Sequence, residues 1–308
     1  MKKTILFITI LLLVVLGLLF FIKKDKVISN ENTNLTTEQQ DKLKITFLDV
    51  GQGDATFIEF PDGQQMLVDC AIDGRILEAL GRVMDYYDHD IDYLLITHPD
   101  SDHYGGCAEV LKRFDVKNII YNGTKKEYDD FWVAFWQAVQ AEQAKYVEVD
   151  HEDVWEIAST SLHWLYPDQP LALATSTWQK ESNNGSIVFE LNYNGKEALF
   201  MGDAEIDLEK YLLNTYGEQL ETDILKVGHH GSSGASHQEF VDVVSPEYAI
   251  FSAGKNNQFG HPSPRVEKRL ERASSTIWRT DLGGDIVCEI GDLINCNYKN
   301  IYVDQKTN

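Results

Sequence analysis

Four cysteines in 308 residues, none of them spaced Cys-x-x-Cys, leave no thiolate metal site of the usual kind. Cys70 and Cys107 read as small core residues. Cys288 and Cys296 flank Ile290-Gly-Asp-Leu293, a hairpin signal, and either join as a cross-strand disulfide or stay reduced. Positive charge is also scarce. Against 49 Asp and Glu stand 27 Lys and Arg, a net charge of −22. Such a field repels polyanions at long range, which disfavours nonspecific DNA binding and attraction to an anionic membrane surface. One local exception exists. Arg265, Lys268, Arg269 and Arg272 fall at i, i+3, i+4 and i+7 on the helix predicted after Pro264. That basic stripe is either a solvated face paired with acids such as Glu267 and Glu271, or a contact for substrate phosphate. No repeat recurs at 20–50 residues, which argues against solenoids and propellers. Hydrophobic content of 43% and six Trp suit a packed globular body, and 308 residues allow one large core or two small ones, of which the order of the motifs below favours one domain of roughly 260 residues.

Residues 4–22 form an uncharged apolar run flanked by Lys2-Lys3 and Lys23-Lys24. At 1.5 Å per residue the run spans about 28 Å, enough for a bilayer core. It is longer than a signal peptide's apolar region, and neither an Ala-x-Ala site nor a lipid-bearing Cys follows it. The expectation is an uncleaved single-pass anchor over 1–22, holding the rest of the chain at the cell membrane on its outer side. A polar tether over 23–43 and a short tail over 304–308 would flank a domain over 44–303.

The densest chemistry lies at Thr97-His-Pro-Asp-Ser-Asp-His-Tyr-Gly-Gly106. His98, Asp100, Asp102 and His103 place four metal-binding side chains within six positions, after the β-prone Asp92–Thr97 and before a helical segment. A strand-to-helix turn lets such side chains converge on one point, and imidazole with carboxylate is the usual ligand set for zinc, manganese or iron. Strands are predicted at 45–50, 55–60, 64–70, 92–97, 116–121, 145–149, 161–166, 186–193, 196–202, 222–228, 247–252, 276–280 and 285–290. Helices are predicted at 75–87, 105–114, 129–144, 205–216, 236–244 and 263–273. Asn194-Gly195 marks a hairpin. In helix 129–144 the aromatic stripe Phe131, Trp132, Phe135 and Trp136 reads as core packing, with a lip over the site as the alternative.

The motif resembles the His-x-His-x-Asp-His signature of the metallo-β-lactamase superfamily, with Asp100 at the second His. Phe47-Leu-Asp-Val-Gly-Gln-Gly-Asp-Ala55 and Leu67-Val-Asp-Cys70 precede it. Leu199-Phe-Met-Gly-Asp203, Ile224-Leu-Lys-Val-Gly-His-His-Gly-Ser-Ser233 and Phe259-Gly-His-Pro-Ser263 follow. Together they are similar to the hydrolase domain of ComEC-type DNA-uptake proteins, from about Lys44 to about Val287. The resemblance implies an α/β, four-layer αββα sandwich and one or two divalent ions, Zn or Mn. It implies that His98 and Asp100 hold one ion, that Asp102, His103 and His229 hold the other, and that Asp203 bridges them. The further His that most members give the first ion is missing; Asn183-Asn-Gly-Ser186 stands near that place. Asp102 would also orient the attacking water, which a bound metal makes acidic. Lys226 would pair with substrate phosphate or neutralise Asp203, and His230 and His261 would contact phosphate, protonate the leaving oxygen or support a ligand. Asn184, Ser186, Ser232 and Ser263 are the candidate substrate contacts. Asp49, Asp54 and Asp69 read as turn or supporting residues.

The implied reaction is phosphodiester hydrolysis, with DNA as the family-suggested substrate. A small or cell-envelope phosphodiester is the alternative, favoured by the acidic charge. A non-catalytic binding module with a degenerate site is the third reading, and retention of Asp102, His103, Asp203 and His229 argues against it. No protein partner can be inferred.

Overall fold

The computed structural model describes residues 42–126 and 129–299. Two sheets organise them. The first runs in the order β15-β14-β1-β2-β3-β4-β5-β6. Its strands are β1 (Leu43–Phe47), β2 (Thr56–Glu59), β3 (Gln65–Val68), β4 (Asp90–Ile96), β5 (Asp115–Tyr121), β6 (Lys145–Glu148), β14 (Ile286–Ile290) and β15 (Ile294–Tyr298). The second runs β13-β12-β11-β10-β9-β8-β7. It comprises β7 (Asp153–Ile157), β8 (Thr160–Tyr166), β9 (Val188–Tyr193), β10 (Lys196–Phe200), β11 (Ile224–Lys226), β12 (Tyr248–Phe251) and β13 (Thr276–Arg279). Each sheet is antiparallel along one half and parallel along the other: β3 through β6 run parallel in the first, β10 through β13 in the second.

Three apolar clusters give the layers. Ile45, Phe47, Leu95 and Ile120 from one sheet meet Trp164, Phe189, Phe200 and Ile250 from the other. Phe189 and Phe200 stack at 4.5 Å there. On the outer face of the first sheet lie α1 (Arg75–Leu80), α2 (Ser101–Tyr104), α3 (Cys107–Leu111) and α4 (Asp130–Ala141), burying Ile76, Tyr104, Val110 and Trp132. On the outer face of the second lie α5 (Ile206–Tyr216), α6 (Gln238–Val244) and α7 (Pro264–Arg272), burying Leu208, Val241 and Leu270. The result is the expected helix–sheet–sheet–helix sandwich, closed because each element hides one apolar face.

Local signals explain several elements. Asn194 and Gly195 both take positive φ, 56° and 72°, as the two-residue hairpin joining β9 to β10 requires. Ser263 caps α7 by accepting from the Arg265 amide, with Pro264 in the first turn. Trp132 and Phe135 of α4 are buried, so the aromatic stripe is core, and Trp132 packs edge-on against Tyr104 of the metal-ligand turn. Two strands escaped the periodicity reading, β7 and β15. Both are sheet edges with mostly exposed or half-exposed residues, so neither carries a strong apolar alternation. The helix predicted over 105–114 is divided, because its start belongs to the turn ending at Gly105-Gly106.

Two expectations are corrected. Cys70 and Cys107 are buried as predicted, but they are joined to each other, as Cys288 and Cys296 also are. The expected placement at the cell membrane is not upheld: no helix among the described residues is long and apolar enough to cross a membrane. The run 4–22 on which it rested, the tether through residue 41 and the tail 304–308 lie outside the described residues.

Candidate metal centre

Chain direction decides where the chemistry collects. In open sheets with parallel strands, loops at the carboxyl ends of those strands form the ligand crevice. Asp69 follows β3, His98 through His103 follow β4, Asp203 follows β10, His229 and His230 follow β11, and His261 lies beyond β12. Glycines allow the loops to close. A side chain at Gly53 would put its Cβ 2.5 Å from the Asp102 carbonyl oxygen, which accepts from the Asp54 amide at 3.1 Å. Gly202, at φ +52°, turns the chain so that Asp203 faces inward against Ser186.

Four imidazoles have their Nδ1 atoms committed to oxygen. The Thr97 hydroxyl gives its single proton to Asp69 Oδ2 at 2.8 Å, so at 3.1 Å it accepts from His98 Nδ1. His103 Nδ1 donates to Asp69 Oδ2 at 2.7 Å, and His230 Nδ1 to the Ser252 carbonyl at 3.1 Å. His229 Nδ1 donates to Glu205 Oε1 at 2.9 Å. In the neutral ring each bond fixes the tautomer that leaves the Nε2 lone pair free, the arrangement of metal-ligating histidines. The Nε2 atoms of His98, His103 and His230 are buried and make no hydrogen bond among the described residues; the same holds for Asp203 Oδ1. They converge. His103 Nε2 lies 3.1 Å from Asp203 Oδ1, His230 Nε2 lies 3.3 Å from Asp102 Oδ2 and 3.7 Å from Asp203 Oδ2, and His98 Nε2 lies 3.9 Å from Asp203 Oδ2. Ligand atoms around one tetrahedral ion sit about 3.3 Å apart, so buried, unpartnered donors at this spacing fit a divalent cation.

Electrostatics agree. Burial alone would raise the Asp203 pKa, but His103 and His230 hold it well below the carboxylate range. Burial opposes charge on His230 as well, yet Asp203 and Asp54 push it up to about 10. His103 is held well above its usual value against burial by Asp203 and Asp69. These groups want positive charge among them, as protons or as metal.

Asp69 and Asp54 are the supports the sequence suggested. Asp69 also accepts from the Thr97 amide at 2.8 Å, and Asp49 accepts from the Gly51 amide within its own turn. Other roles change. His230, not His229, occupies the buried position beside Asp102. Both residues adopt left-handed backbone, φ 46° and 52°, and this pair of turns points His230 inward while His229 stays about one-fifth exposed, its Nε2 3.8 Å from Asp203. Lys226 reaches neither Asp203 nor an opening toward substrate. It is buried and pairs with Asp54 at 2.7 Å, below His230. Asn184 and Ser186 are buried too, accepting from the Glu205 and Asp203 amides at 3.0 and 2.9 Å. Ser232 and Ser263 are half-exposed and serve their own turns, accepting from the Gly234 and Arg265 amides. His261 stays at the mouth, its ring 5.5 Å from that of His229 and 6.3 Å from that of His230. Burial and those two neighbours hold its pKa below the usual histidine value.

The basic stripe is solvated. Arg265, Lys268 and Arg272 are exposed, Arg269 donates to the Ser236 carbonyl, and Glu267 pairs with Arg279 instead of the stripe. Three residues were missed. Glu205 holds His229, and Lys126 and Ser182 both bind Asp100 Oδ1, Ser182 at 2.6 Å. Only Glu205 carried a signal, two positions after Asp203.

Residues 48–255 match the family profile described as the metallo-beta-lactamase superfamily. Among curated proteins, ComE operon protein 3 of Bacillus subtilis (strain 168) is 30% identical over 79% of this chain and 32% of its own length. Recombination protein 2 of Haemophilus influenzae is 26% identical over 79% of this chain and 28% of its own length. The chain thus spans about a third of the curated relatives it matches. Among solved structures, the metallo-beta-lactamase fold protein YhfI from Bacillus subtilis superposes with a TM-score of 0.54 at 11% identity, covering 81% of this chain and 100% of that one. Igni18, a metallo hydrolase from Ignicoccus hospitalis, gives 0.51 at 14% identity over 80% of this chain and 100% of its own. With that profile covering most of the two-sheet fold and its histidine–aspartate centre, the chain belongs to the metallo-β-lactamase superfamily.

Proposed function

We propose that this protein is a metal-dependent hydrolase of phosphodiesters that works with one or two divalent ions, Zn or Mn. The observation that carries the reading is the convergence of buried, unpartnered Nε2 atoms of His98, His103 and His230 on Asp203, each ring fixed from behind by an oxygen. A divalent ion held by Asp102, His103, Asp203 and His230 would acidify water and polarise the scissile phosphate. The chain's own groups do the rest. Asp102, half-exposed at the edge of the cluster, accepts the proton of the attacking water at its carboxylate. His229, held by Glu205 at the half-exposed edge of the cluster and with its pKa lifted by Glu205 and Asp203 against burial, would in its protonated form give the Nε2 proton to the leaving oxygen. His261 closes the outer side and excludes water. Lys226, through Asp54, positions His230.

Relatives named for competence and recombination support nucleic acid as the phosphodiester. The net charge of −22 supports a short substrate over a long duplex, because a polyanion meets repulsion outside the centre. The test is hydrolysis by the purified full chain, loaded with Mn or Zn, of single-stranded oligonucleotides of graded length beside bis(p-nitrophenyl) phosphate. Metal-dependent cleavage that disappears in Asp203→Ala is expected. Stoichiometric metal binding with no cleavage of any phosphodiester would leave a binding module instead.

A further inference from the structure

Asp100 stands where the sequence motif calls for a metal ligand, but its surroundings are those of an ion pair. Its Oδ1 accepts from the Lys126 ammonium and from the Ser182 hydroxyl. Only Oδ2 is left, 3.6 Å from His98 Nε2. In the segment 182–186, Asn183 donates to Glu205 while Asn184 and Ser186 accept from backbone amides. The compact ligand groups among the described residues include His98 and Asp102 but never Asp100. His103, which has one free nitrogen, recurs in three of those four groups, so those three exclude one another, and the fourth draws on Asp54, which is paired with Lys226.

Ser182 lies both on Asp100 and on the wall of a cleft of about 560 Å³ lined by Asn122, Thr124, Lys125, Gln179 and Lys180. Lys125 and Lys180 line that cleft beside Glu148 and Glu181, and Lys126 binds Asp100 at its Ser182 wall. Lys125 sits over the Trp136 ring. The Lys126 and Asp100 side chains are each about a quarter exposed, so the ammonium is anchored by the carboxylate and still reachable from solvent.

We propose that the centre holds a single divalent ion, on Asp102, His103, Asp203 and His230, and that Lys126, anchored by Asp100, supplies the cation on the opposite side of the substrate phosphate. An ammonium there can donate to a non-bridging phosphate oxygen as a compact point charge. The inference rests on the phosphodiesterase reading, and the experiment separates the two.

Metal content of the purified full chain is measured after equilibration with Mn and, separately, with Zn, for wild type, Asp100→Ala, Asp102→Ala and Lys126→Met. The expected result is one equivalent in wild type, in Asp100→Ala and in Lys126→Met, and loss in Asp102→Ala. The Mn-loaded wild type should show the paramagnetic resonance of an isolated ion without exchange coupling. Lys126→Met should then cleave a phosphodiester about 10²-fold more slowly, with partial recovery in Lys126→Arg. Two equivalents in wild type falling to one in Asp100→Ala, or a coupled Mn spectrum, overturns the single-ion assignment and leaves the hydrolase reading standing. Full turnover in Lys126→Met overturns the role of the lysine. No metal under either condition overturns both readings at once.

Discussion

Removing Lys226 tests a buried ion pair beside the metal centre. Its ammonium lies 2.7 Å from Asp54 Oδ2, with the two side chains only 4% and 6% exposed. Burial alone would raise the Asp54 pKa, but Lys226 first and His230 next hold it well below the carboxylate range. In Lys226→Met the carboxylate keeps its burial and loses its main partner. Breaking a buried pair from one side costs about 3–5 kcal/mol, which for a domain of this size lowers Tm by about 6–20 °C. The pH dependence has a definite sign. In wild type the depressed Asp54 pKa contributes stability that is present above the unfolded value near ~3.9 and lost as pH falls through the folded one. In the variant the folded pKa rises above the unfolded value, so ionised Asp54 destabilises as pH increases. The gap between variant and wild type should therefore be widest at pH 7–8 and shrink toward pH 4. Adding Asp54→Asn should recover part of the loss, because no buried charge is then left alone. Urea denaturation of the four proteins at pH 4.5 and 7.5 measures the cycle. Metal affinity should fall about 10–100-fold, since Asp54 also steadies His230 from behind. A Lys226→Met protein with wild-type stability and metal content but little turnover would refute this account and return Lys226 to the substrate phosphate.

Other outcomes follow from the same geometry. His230→Ala should lose the metal, whereas His229→Ala should retain it and lower turnover by about 10²–10⁴-fold; metal analysis of both decides, and the reverse pattern restores the ligand role expected for His229. Metal binding should release protons. His230 sits at about 10 and His103 well above its usual range before a cation arrives, and each must be neutral to ligate. At pH 7 the His230 proton is displaced and His103 adds to the release, so affinity should rise with pH by up to about tenfold per unit for each proton. Calorimetry in two buffers of different ionisation enthalpy counts them, and a count of zero contradicts the assignment. Away from the centre, burial and then Glu197 push Glu190 up to about 7 from 4.5. The folded state thus keeps a proton that the unfolded state releases, and stability falls as pH rises through that window. Glu190→Gln should be more stable than wild type at pH 8 by about 1–2 kcal/mol, after allowance for solvent screening, and equal to it near pH 4. Urea midpoints at the two pH values settle the matter, and a destabilised variant at pH 8 would refute it.

The fold was legible where periodicity and motif order coincide. Continuous apolar runs such as Tyr93–Ile96 and Ala198–Phe200 become strands because the sandwich buries both faces there. The edge strands β7 and β15 were not legible, since an edge needs little apolar surface and their exposed residues carry no clear alternation. The Cys70–Cys107 link was hidden for another reason. The two lie 37 positions apart, and only the return of the chain from the end of β3 to the start of α3 brings them together.

The site was legible as a set of residues and not as an assignment of roles. His98, Asp102, His103 and Asp203 can be identified from ligand chemistry and from the strand that precedes each of them. Which of His229 and His230 faces inward depends on two consecutive left-handed residues, and a one-residue change of backbone direction exchanges their positions. Asp100 shows the same limit from the other side. Its residue type and spacing fit a metal ligand, but folding also brings to it Lys126 and Ser182, which are 26 and 82 positions distant. A carboxylate beside an ammonium and a carboxylate beside a metal ion look alike along the chain; only the neighbours that folding supplies distinguish them. The direct measure is therefore metal stoichiometry in Asp100→Ala, where an ion pair and a metal ligand give different integers.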